Sequence, residues 1–369
     1  MRQGAPPSGE EDMTPMEFAD PQTRRRADPS GMLELILRLP EMCAEAWTLP
    51  VQPAGPTPRP AQIVTLGMGG SGIGGDLLRA VLYDEASVPV TSAKACRAPS
   101  FVGPSSLIFA CSYSGDTEET LTAYDEASTK GAQCVVITSG GELLRRARER
   151  RHPAVIVPPG LPPRAALPYL FLPMLALLGR AGIIRSFEAE LGEAVGVLRR
   201  ILPRLGPDGA DPSARALAER LLGRIPVIYS SSPFLEPAAQ RWKDQFNENA
   251  KTFAVWNTFP ELNHNETVGW GLDPALARGI HVILLRDSLE PARLGQRVAI
   301  TKGLAFERAA GLDEIGSEGE GKLSRLLSLV ACGDLVSWYL ALLRGVDPTP
   351  VAVIEELKRR LAEGPGGRR

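Results

Sequence analysis

The stretch Gln62-Ile-Val-Thr-Leu-Gly-Met-Gly-Gly-Ser-Gly-Ile-Gly-Gly-Asp76 carries the clearest structural signal in this sequence. Residues 62–66 form a short apolar run typical of a buried strand, a glycine-rich turn follows, and a helix is predicted from Asp76 to Tyr83. Glycines let the backbone approach an anion closely, and free N–H groups at a helix start favour negative charge. The turn therefore predicts a phosphate site, a dinucleotide site or a tight turn without a ligand.

The dinucleotide alternative rests on the spacing G-x-G-x-x-G, supplied by Gly67, Gly69 and Gly72. Proteins of that class carry an acidic residue at the end of the second strand, where it binds the ribose. The corresponding stretch here, Thr91–Arg97, contains no carboxylate. The turn by itself leaves all three alternatives open.

A second turn, Cys111-Ser-Tyr-Ser-Gly-Asp-Thr117, lies between a predicted strand at 106–111 and a predicted helix at 118–129. Ser112, Ser114 and Thr117 supply three hydroxyls beside free helix N–H groups, a neutral cradle suited to a phosphate monoester. The alternative is helix capping by a serine or threonine. Because one cap needs one hydroxyl, three hydroxyls next to a glycine-rich turn favour phosphate.

Strands alternate with helices on both sides of residues 183–190, which predicts an α/β fold with two domains. Each domain is expected to be a parallel sheet flanked by helices in three layers. The predicted division is a disordered tail over 1–30, a first domain with the phosphate-binding turns over 31–185, and a second domain over 186–369. A chain of 369 residues is long enough for two such cores.

Composition excludes several functional classes. The 41 Lys and Arg nearly cancel the 43 Asp and Glu, so a net charge of -2 predicts no nucleic-acid partner and no binding to an anionic membrane surface. Five scattered cysteines without a C-x-x-C pair predict reduced thiols in a cytoplasmic protein. No signal peptide is evident, and the most apolar run, 165–178, is too short to span a bilayer. No metal-binding pattern is present, so neither a metal nor a cofactor is expected.

Two further stretches, Gln245-Phe-Asn-Glu-Asn-Ala-Lys251 and Pro260-Glu-Leu-Asn-His-Asn-Glu266, complete a family resemblance. Together with the two turns they resemble the sugar isomerase (SIS) domain family, in its bifunctional phosphoglucose/phosphomannose isomerase branch, over about residues 30–360. The resemblance implies two SIS-type domains and a homodimer with shared active sites. It also implies interconversion of glucose 6-phosphate or mannose 6-phosphate with fructose 6-phosphate. The residues it implies for the phosphate cradle are Gly70, Ser71, Ser112, Ser114 and Thr117.

Aldose–ketose isomerisation through a cis-enediol needs a base, a cation near the developing oxyanion and an acid/base that opens the ring. The resemblance implies Glu248 as the base. From the residues alone, Glu248 would be a solvated helix carboxylate paired with Lys251.

The chain has three histidines, of which His152 is expected to be exposed and His281 packed. His264, in a polar loop, suits acid/base chemistry near neutral pH, and a hydrogen-bonded loop histidine is the alternative. The resemblance implies that His264 assists ring opening and comes from the other subunit.

Two cations complete the implied site. Arg164 is predicted to begin an apolar helix, where a cation opposes the helix dipole at a cost of about 0.3–1 kcal/mol. The resemblance gives Arg164 the role of stabilising the enediolate, and an exposed arginine is the alternative. It also implies that Lys358, on a C-terminal helix, returns to the active site, with ordinary surface charge as the alternative.

Two other functions remain open at this point. A sugar-phosphate sensor would usually carry a DNA-binding helix-turn-helix, and residues 1–31 are too polar and proline-rich for one. An isomerase of another phosphosugar, such as an amino sugar or a seven-carbon sugar, is the second alternative. The sequence leaves open the preference between glucose and mannose phosphates.

Overall fold

The computed structural model describes residues 20–52, 59–271 and 273–363. The strands are β1 Val51–Gln52, β2 Gln62–Leu66, β3 Val90–Ala93, β4 Ser106–Cys111, β5 Gln133–Thr138, β6 Ala154–Ile156, β7 Ile225–Ser230, β8 Val255–Thr258, β9 Ile280–Arg286 and β10 Gly311–Gly316. The helices are α1 Pro21–Ala27, α2 Met32–Leu37, α3 Leu39–Thr48, α4 Gly69–Leu82, α5 Glu118–Thr129, α6 Gly141–Glu149, α7 Leu167–Arg180, α8 Glu188–Leu205, α9 Ser213–Leu221, α10 Glu236–Glu248, α11 Glu266–Gly269, α12 Pro274–Ala277, α13 Ala292–Leu304, α14 Lys322–Leu343 and α15 Ala352–Glu363.

The strands form two sheets, one in each half of the chain. The first has six strands in the order β1-β6-β5-β4-β2-β3, and the second has four in the order β10-β9-β7-β8. All pairings are parallel except that of the two-residue edge strand β1 with β6. The predicted α/β class with two mostly parallel sheets is confirmed, and the antiparallel edge strand is an addition to it.

Alternate residues of each central strand enter different hydrophobic clusters. In β4, Phe109 packs into the large central cluster and Ile108 into the cluster on the opposite face. In β9, Ile283 joins the same central cluster and Val282 a third one. Both sheets are therefore covered by helices on both faces, and they share one core between them.

The long helix α14 lies in that shared core. Among the described residues, α14 is the one helix whose length and composition would suit a membrane span. Its most apolar stretch is entirely buried. The apolar run at 165–178 corresponds to α7, which is also buried through Leu178. Both are therefore core helices of a folded protein.

The predicted tail over residues 1–30 is too long. Residues 1–19 lie outside the described residues, but α1 begins at Pro21 behind an Asp20 cap. Asp28 is 6% exposed, accepts hydrogen bonds from the backbone N–H groups that begin α2, and accepts another from Trp338 Nε1 at 2.9 Å. The expectation of disorder is wrong for residues 20–30, because this buried carboxylate ties them to the core helix α14.

Candidate active site

The glycine-rich turn lies where β2 passes into α4. A side-chain carbon at Gly67 would lie 2.9 Å from the carbonyl oxygen of Ser71 and 3.0 Å from that of Cys111. Ser71 is buried, and its Oγ accepts a hydrogen bond from the backbone N–H of Tyr113 at 3.1 Å. Since β2 and β4 are paired neighbours, the glycine-rich turn and the serine-threonine turn lie side by side.

The hydroxyls of the serine-threonine turn bond within the turn. Ser112 Oγ donates to Thr117 Oγ1 at 2.9 Å, and Ser114 Oγ accepts from the N–H of Asp116 at 3.2 Å. Thr117 occupies the N-cap position of α5 without forming a side-chain capping bond. The capping alternative therefore does not describe these hydroxyls, and the first N–H groups of α5 have no hydroxyl cap.

Arg164 lies on the loop that precedes α7, with only 3% of its side chain exposed. Its guanidinium donates from Nε to Asn249 Oδ1 at 2.6 Å, and from Nη2 to the carbonyl oxygens of Pro348 and Thr349 at 2.7 and 2.8 Å. The prediction that Arg164 begins a helix is wrong, because α7 begins at Leu167. The alternative of an exposed arginine is wrong as well.

Two contacts connect the phosphate-type turns with the Arg164 loop. A side-chain carbon at Gly70 would lie 2.9 Å from the backbone nitrogen of Arg164, so only glycine allows this approach. The hydroxyl of Tyr113 donates to the carbonyl of Pro158 at 2.7 Å and accepts from the N–H of Leu161 at 2.8 Å. The turns and the Arg164 loop therefore pack directly against each other.

Glu248 is the last residue of α10 and faces Arg164 from the second half of the chain. Its Oε2 lies 3.4 Å from Arg164 Nη1, and 26% of the Glu248 side chain is exposed. Burial raises the pKa of Glu248 above its ordinary value, while Arg164 acts in the opposite direction. The expected ion pair with Lys251 is absent among the described residues, since Lys251 Nζ donates instead to the Glu248 main-chain oxygen at 2.6 Å.

An open cavity of about 490 Å³ lies beside Glu248. It is bordered by the end of α10, the following loop with Phe253, and residues 350–354. Asn247 lines it too, and its buried Oδ1 has no hydrogen-bond partner in the described part of the chain. The site thus combines a base with a raised pKa, a fixed cation and one unpaired polar atom beside an open space.

Comparisons with known proteins identify the family of this chain. Residues 210–361 match the family model for the bacterial phospho-glucose isomerase C-terminal SIS domain. A bifunctional phosphoglucose/phosphomannose isomerase of Caldicellulosiruptor bescii is 40% identical over 304 residues, covering 82% of this chain and 90% of the relative. The enzyme of the same name from Aquifex aeolicus is 38% identical over 81% of this chain and 90% of its own.

The chain belongs to the bifunctional phosphoglucose/phosphomannose isomerases.

The predictions of family and enzyme class are thereby confirmed. Among solved structures, a glucose-6-phosphate isomerase like protein from Thermus thermophilus superposes with a TM-score of 0.62. That match covers 91% of this chain and 99% of the other at 21% identity, which supports the SIS-type fold alone.

Two predicted site residues of this isomerase lie apart from the others. His264 ends a short 3-10 helix over Glu261–His264, is exposed, and makes no side-chain hydrogen bond within the described residues. Lys358 is exposed on α15, and no ion pair involves it in the part of the chain that is described. The single chain therefore brings together Glu248, Arg164 and the two turns without His264 or Lys358.

Sequence reasoning missed the residues beneath this isomerase's site. Asn249 is fully buried and orients Arg164, while its own Nδ2 donates to Ser337 Oγ at 3.0 Å. Asn249 is part of the quoted Asn-Glu-Asn motif, so the sequence pointed to this residue. It did not indicate the hydrogen-bond partner of Asn249 on α14. Across the described ranges, no group of three or more His, Cys, Asp or Glu is placed to hold a metal ion.

Proposed function

We propose that this isomerase interconverts glucose 6-phosphate or mannose 6-phosphate with fructose 6-phosphate through a cis-enediol. The observation that carries the proposal is the pairing of Glu248 with the buried Arg164 at 3.4 Å, beside two turns suited to a phosphate. The names of the relatives point to the same substrates. Glucose and mannose phosphates differ in configuration at C2, and both give the same enediol once C2 loses its proton.

The phosphate of the substrate occupies the cradle. A phosphate monoester carries a charge of about -1.5 to -2 near neutral pH and presents three acceptor oxygens. Hydroxyls and helix N–H groups are donors for such a group, and hydrogen bonds to an ionised acceptor are stronger than neutral ones. The residues assigned to the cradle are Gly70, Ser71, Ser112, Ser114 and Thr117.

Proton transfer follows at the other end of the sugar. Glu248 removes the proton from C2 and returns it to C1, and a base with a raised pKa suits this exchange near neutral pH. Arg164 stabilises the negative charge that develops on the adjacent oxygens. Because its Nε and Nη2 donors are held by hydrogen bonds, the guanidinium needs little reorganisation as that charge appears.

His264 belongs to the proposed dimer. Exposed apolar side chains surround its loop: Val268 on α11 is 84% exposed, and Ile300 and Leu304 on α13 are 56% and 75% exposed. Asn263, next to His264, donates to Thr301 Oγ1 at 2.8 Å, which fixes the loop against α13. An apolar surface of this kind is typical of a subunit interface, and it would carry His264 into the partner's site for ring opening.

Lys358 fits the same arrangement. It lies on α15, whose Val353, Leu357 and Leu361 are 84%, 57% and 65% exposed. Packing of this apolar face on a second subunit would bring the lysine toward a site.

The proposed domains keep their predicted bounds, 31–185 and 186–369. The five unpaired cysteines support the proposed cytoplasmic location.

The decisive test is a coupled assay of the purified protein with each of the three hexose phosphates. Isomerisation of glucose or mannose phosphate to fructose 6-phosphate is expected, with equal rates before and after exhaustive EDTA treatment. Binding of fructose 6-phosphate without turnover would favour a sensor. Activity that is lost in EDTA and restored by zinc would contradict proton transfer by Glu248 alone.

The shared site has its own test. Glu248→Gln and His264→Ala protomers are mixed after dissociation and allowed to reassociate. Random reassortment makes about half of the dimers mixed, and each mixed dimer has one complete site, so about a quarter of wild-type activity should return. Mixed dimers that are shown to form but remain inactive would place both residues in the same chain's site.

A further inference from the structure

The residues beneath the site form a buried charged network on α10 and α14. Arg241 and Asp334 are 4% and 7% exposed, and Arg241 Nη2 donates to Asp334 Oδ2 at 2.7 Å. The other oxygen of Asp334 accepts from Gln245 Nε2 at 2.8 Å. Both carboxylate oxygens are thus occupied by donors from α10, the helix that ends in Glu248.

The network also contacts the loop that carries the second proposed catalytic group. Arg241 Nη2 donates to the main-chain carbonyl of Arg164 at 3.1 Å. One turn further along α14, Ser337 Oγ donates to the carbonyl of Asp334 at 2.8 Å and accepts from Asn249, which holds the Arg164 side chain. Asp334 therefore connects to Arg164 twice, through its carboxylate and through its main chain.

Charge balance explains why a carboxylate is needed at this position. Arg164 and Arg241 are two guanidinium groups within one buried region, and an isolated buried charge is costly. If Arg241 were unpaired, two positive charges would act on Glu248 and hold it ionised, which weakens it as a base. With Asp334 in place, Arg241 is paired, and Arg164 is the guanidinium that pairs with Glu248.

We propose that Asp334 is a positioning residue of this isomerase, which compensates the charge of Arg241 and holds the Arg164 loop beside Glu248. The inference rests on the proposed function for its kinetic consequences and on the contacts above for its electrostatic ones. Asp334 has no described contact with Glu248 or with the cavity beside it, so it acts through other residues.

The other charges near Glu248 remain constant in the test. They are Arg164 on the loop before α7, Asp244 and Arg241 on α10, and Lys251 after it. Asp334 and Asp347 act on Arg164 from α14 and the segment after it. A change at Asp334 therefore acts on Glu248 through Arg164 and Arg241, whose own charges stay the same.

Asp334→Asn removes the charge and keeps the shape. The asparagine oxygen can still accept from Arg241, and Gln245 can rotate its amide to pair with the new NH2 group. The uncompensated Arg241 then favours ionised Glu248, so the Glu248 pKa falls. We expect the acid limb of the kcat/KM profile to move to lower pH by up to about one unit, and kcat to fall several-fold with little change in KM.

Asp287→Asn is the matched control. Asp287 pairs with Arg325, also on α14, and this ion pair is similarly buried at 6% and 10% exposure. Unlike Asp334, which acts on Arg164, neither residue is among the groups that shift the pKa of Arg164 or of Glu248. We expect this variant to lower Tm in the same way as Asp334→Asn while leaving the acid limb in place. An equal movement of the limb in both variants overturns the inference.

A direct titration separates this inference from the proposed function. The side-chain carbon of Glu248 is followed by NMR in protein labelled with 13C-glutamate, and is assigned by its loss in Glu248→Gln. A lower Glu248 pKa in Asp334→Asn than in the wild type supports the inference even if no hexose phosphate is isomerised. Equal pKa values overturn it whatever the activity.

If Asp334→Asn does not fold, a second variant tests the same proposal. The pair Arg241→Met with Asp334→Leu removes both charges and restores apolar packing, a replacement that buried ion pairs often tolerate. The acid limb should stay at its wild-type position, since no net charge is lost, while kcat falls because the Arg164 carbonyl loses its donor. Wild-type kcat in the double variant would overturn the positioning role.

Discussion

The two sheets use similar strand-to-helix turns in different ways. In the first sheet, β4 leads into α5 through a turn in which Ser114 is exposed and Thr117 is partly exposed. In the second sheet, β7 leads toward α10 through Ser230, Ser231 and Ser232, all of which are buried. Both turns are rich in hydroxyls, and Ser112 of the first turn is buried as well, but only the first turn presents any hydroxyl at the surface, on Ser114 and Thr117.

The partners of the buried serines explain the difference. Ser230 Oγ donates to Thr258 Oγ1 on β8 at 2.7 Å, and Ser231 Oγ accepts from the N–H of Asp287 at 3.0 Å. These hydroxyls join strands of their own sheet. A serine-rich turn after a parallel strand is thus insufficient evidence for a phosphate site, and the two turns differ in the exposure of Ser114 and Thr117.

The second half of the chain contributes Glu248 to the site, from the end of a helix and not from a strand-to-helix turn. Glu248 lies at the C-terminus of α10, where the helix dipole is negative and disfavours an ionised carboxylate. The dipole thus acts in the same direction as burial, which raises the pKa of Glu248. One half of the molecule is therefore suited to binding, and the other to proton transfer.

The largest effect should come from the proton-transfer half. Glu248→Gln keeps the shape of the side chain and removes the base, so kcat should fall by about 10²–10⁴-fold. Binding of fructose 6-phosphate, measured by calorimetry, should stay close to that of the wild type. A variant that loses binding together with turnover would break the proposed separation of the two halves.

The next largest effect should come from the cradle. Ser112→Ala combined with Thr117→Ala removes two hydroxyls, each contributing about 1.5–3 kcal/mol toward a charged group. At about 1.4 kcal/mol per tenfold, KM should rise by roughly 100-fold or more. The kcat value measured at saturation should change little, and an unchanged KM would place the phosphate elsewhere.

The smallest effect is expected at the corresponding serine turn. The hydroxyl of Ser232 is buried without a hydrogen-bond partner in the described residues, so Ser232→Ala removes an unsatisfied group. The free energy of unfolding of this variant should differ from that of the wild type by no more than about 0.5 kcal/mol, with kcat and KM unchanged. A large rise in KM would show that both turns bind the substrate.

Strong sequence patterns predicted most of the fold. The bounds of α5 agree with the prediction, whereas α4 begins at Gly69 and not at the predicted Asp76, and the restart of the strand–helix pattern marks the second sheet. The strands β8 and β10 were missed. Val255–Thr258 is short and partly exposed, and Gly311–Gly316 carries Asp313 and Glu314 between glycines, so neither shows the apolar run of a buried strand.

Side-chain partners were harder to predict than elements. His152 was expected to be exposed, but it is partly buried and its Nδ1 lies 2.7 Å from the hydroxyl of Tyr124. Arg164 and Glu248 are 84 positions apart in sequence, and no local rule connects them. Family motifs brought both residues to attention, whereas Asp334 and Arg241 have no local pattern, because their pairing depends on how α10 packs on α14.

The position of α14 also has a consequence for how the protein is made. Every residue of this helix after Lys322 is buried, and it packs on α2, α8, α9 and α10. Those four helices are synthesised before α14, so their apolar faces stay exposed until α14 has been made. Exposed apolar surface on a nascent chain binds chaperones and starts aggregation. The yield of folded enzyme in a cell therefore depends on how well this interval is protected.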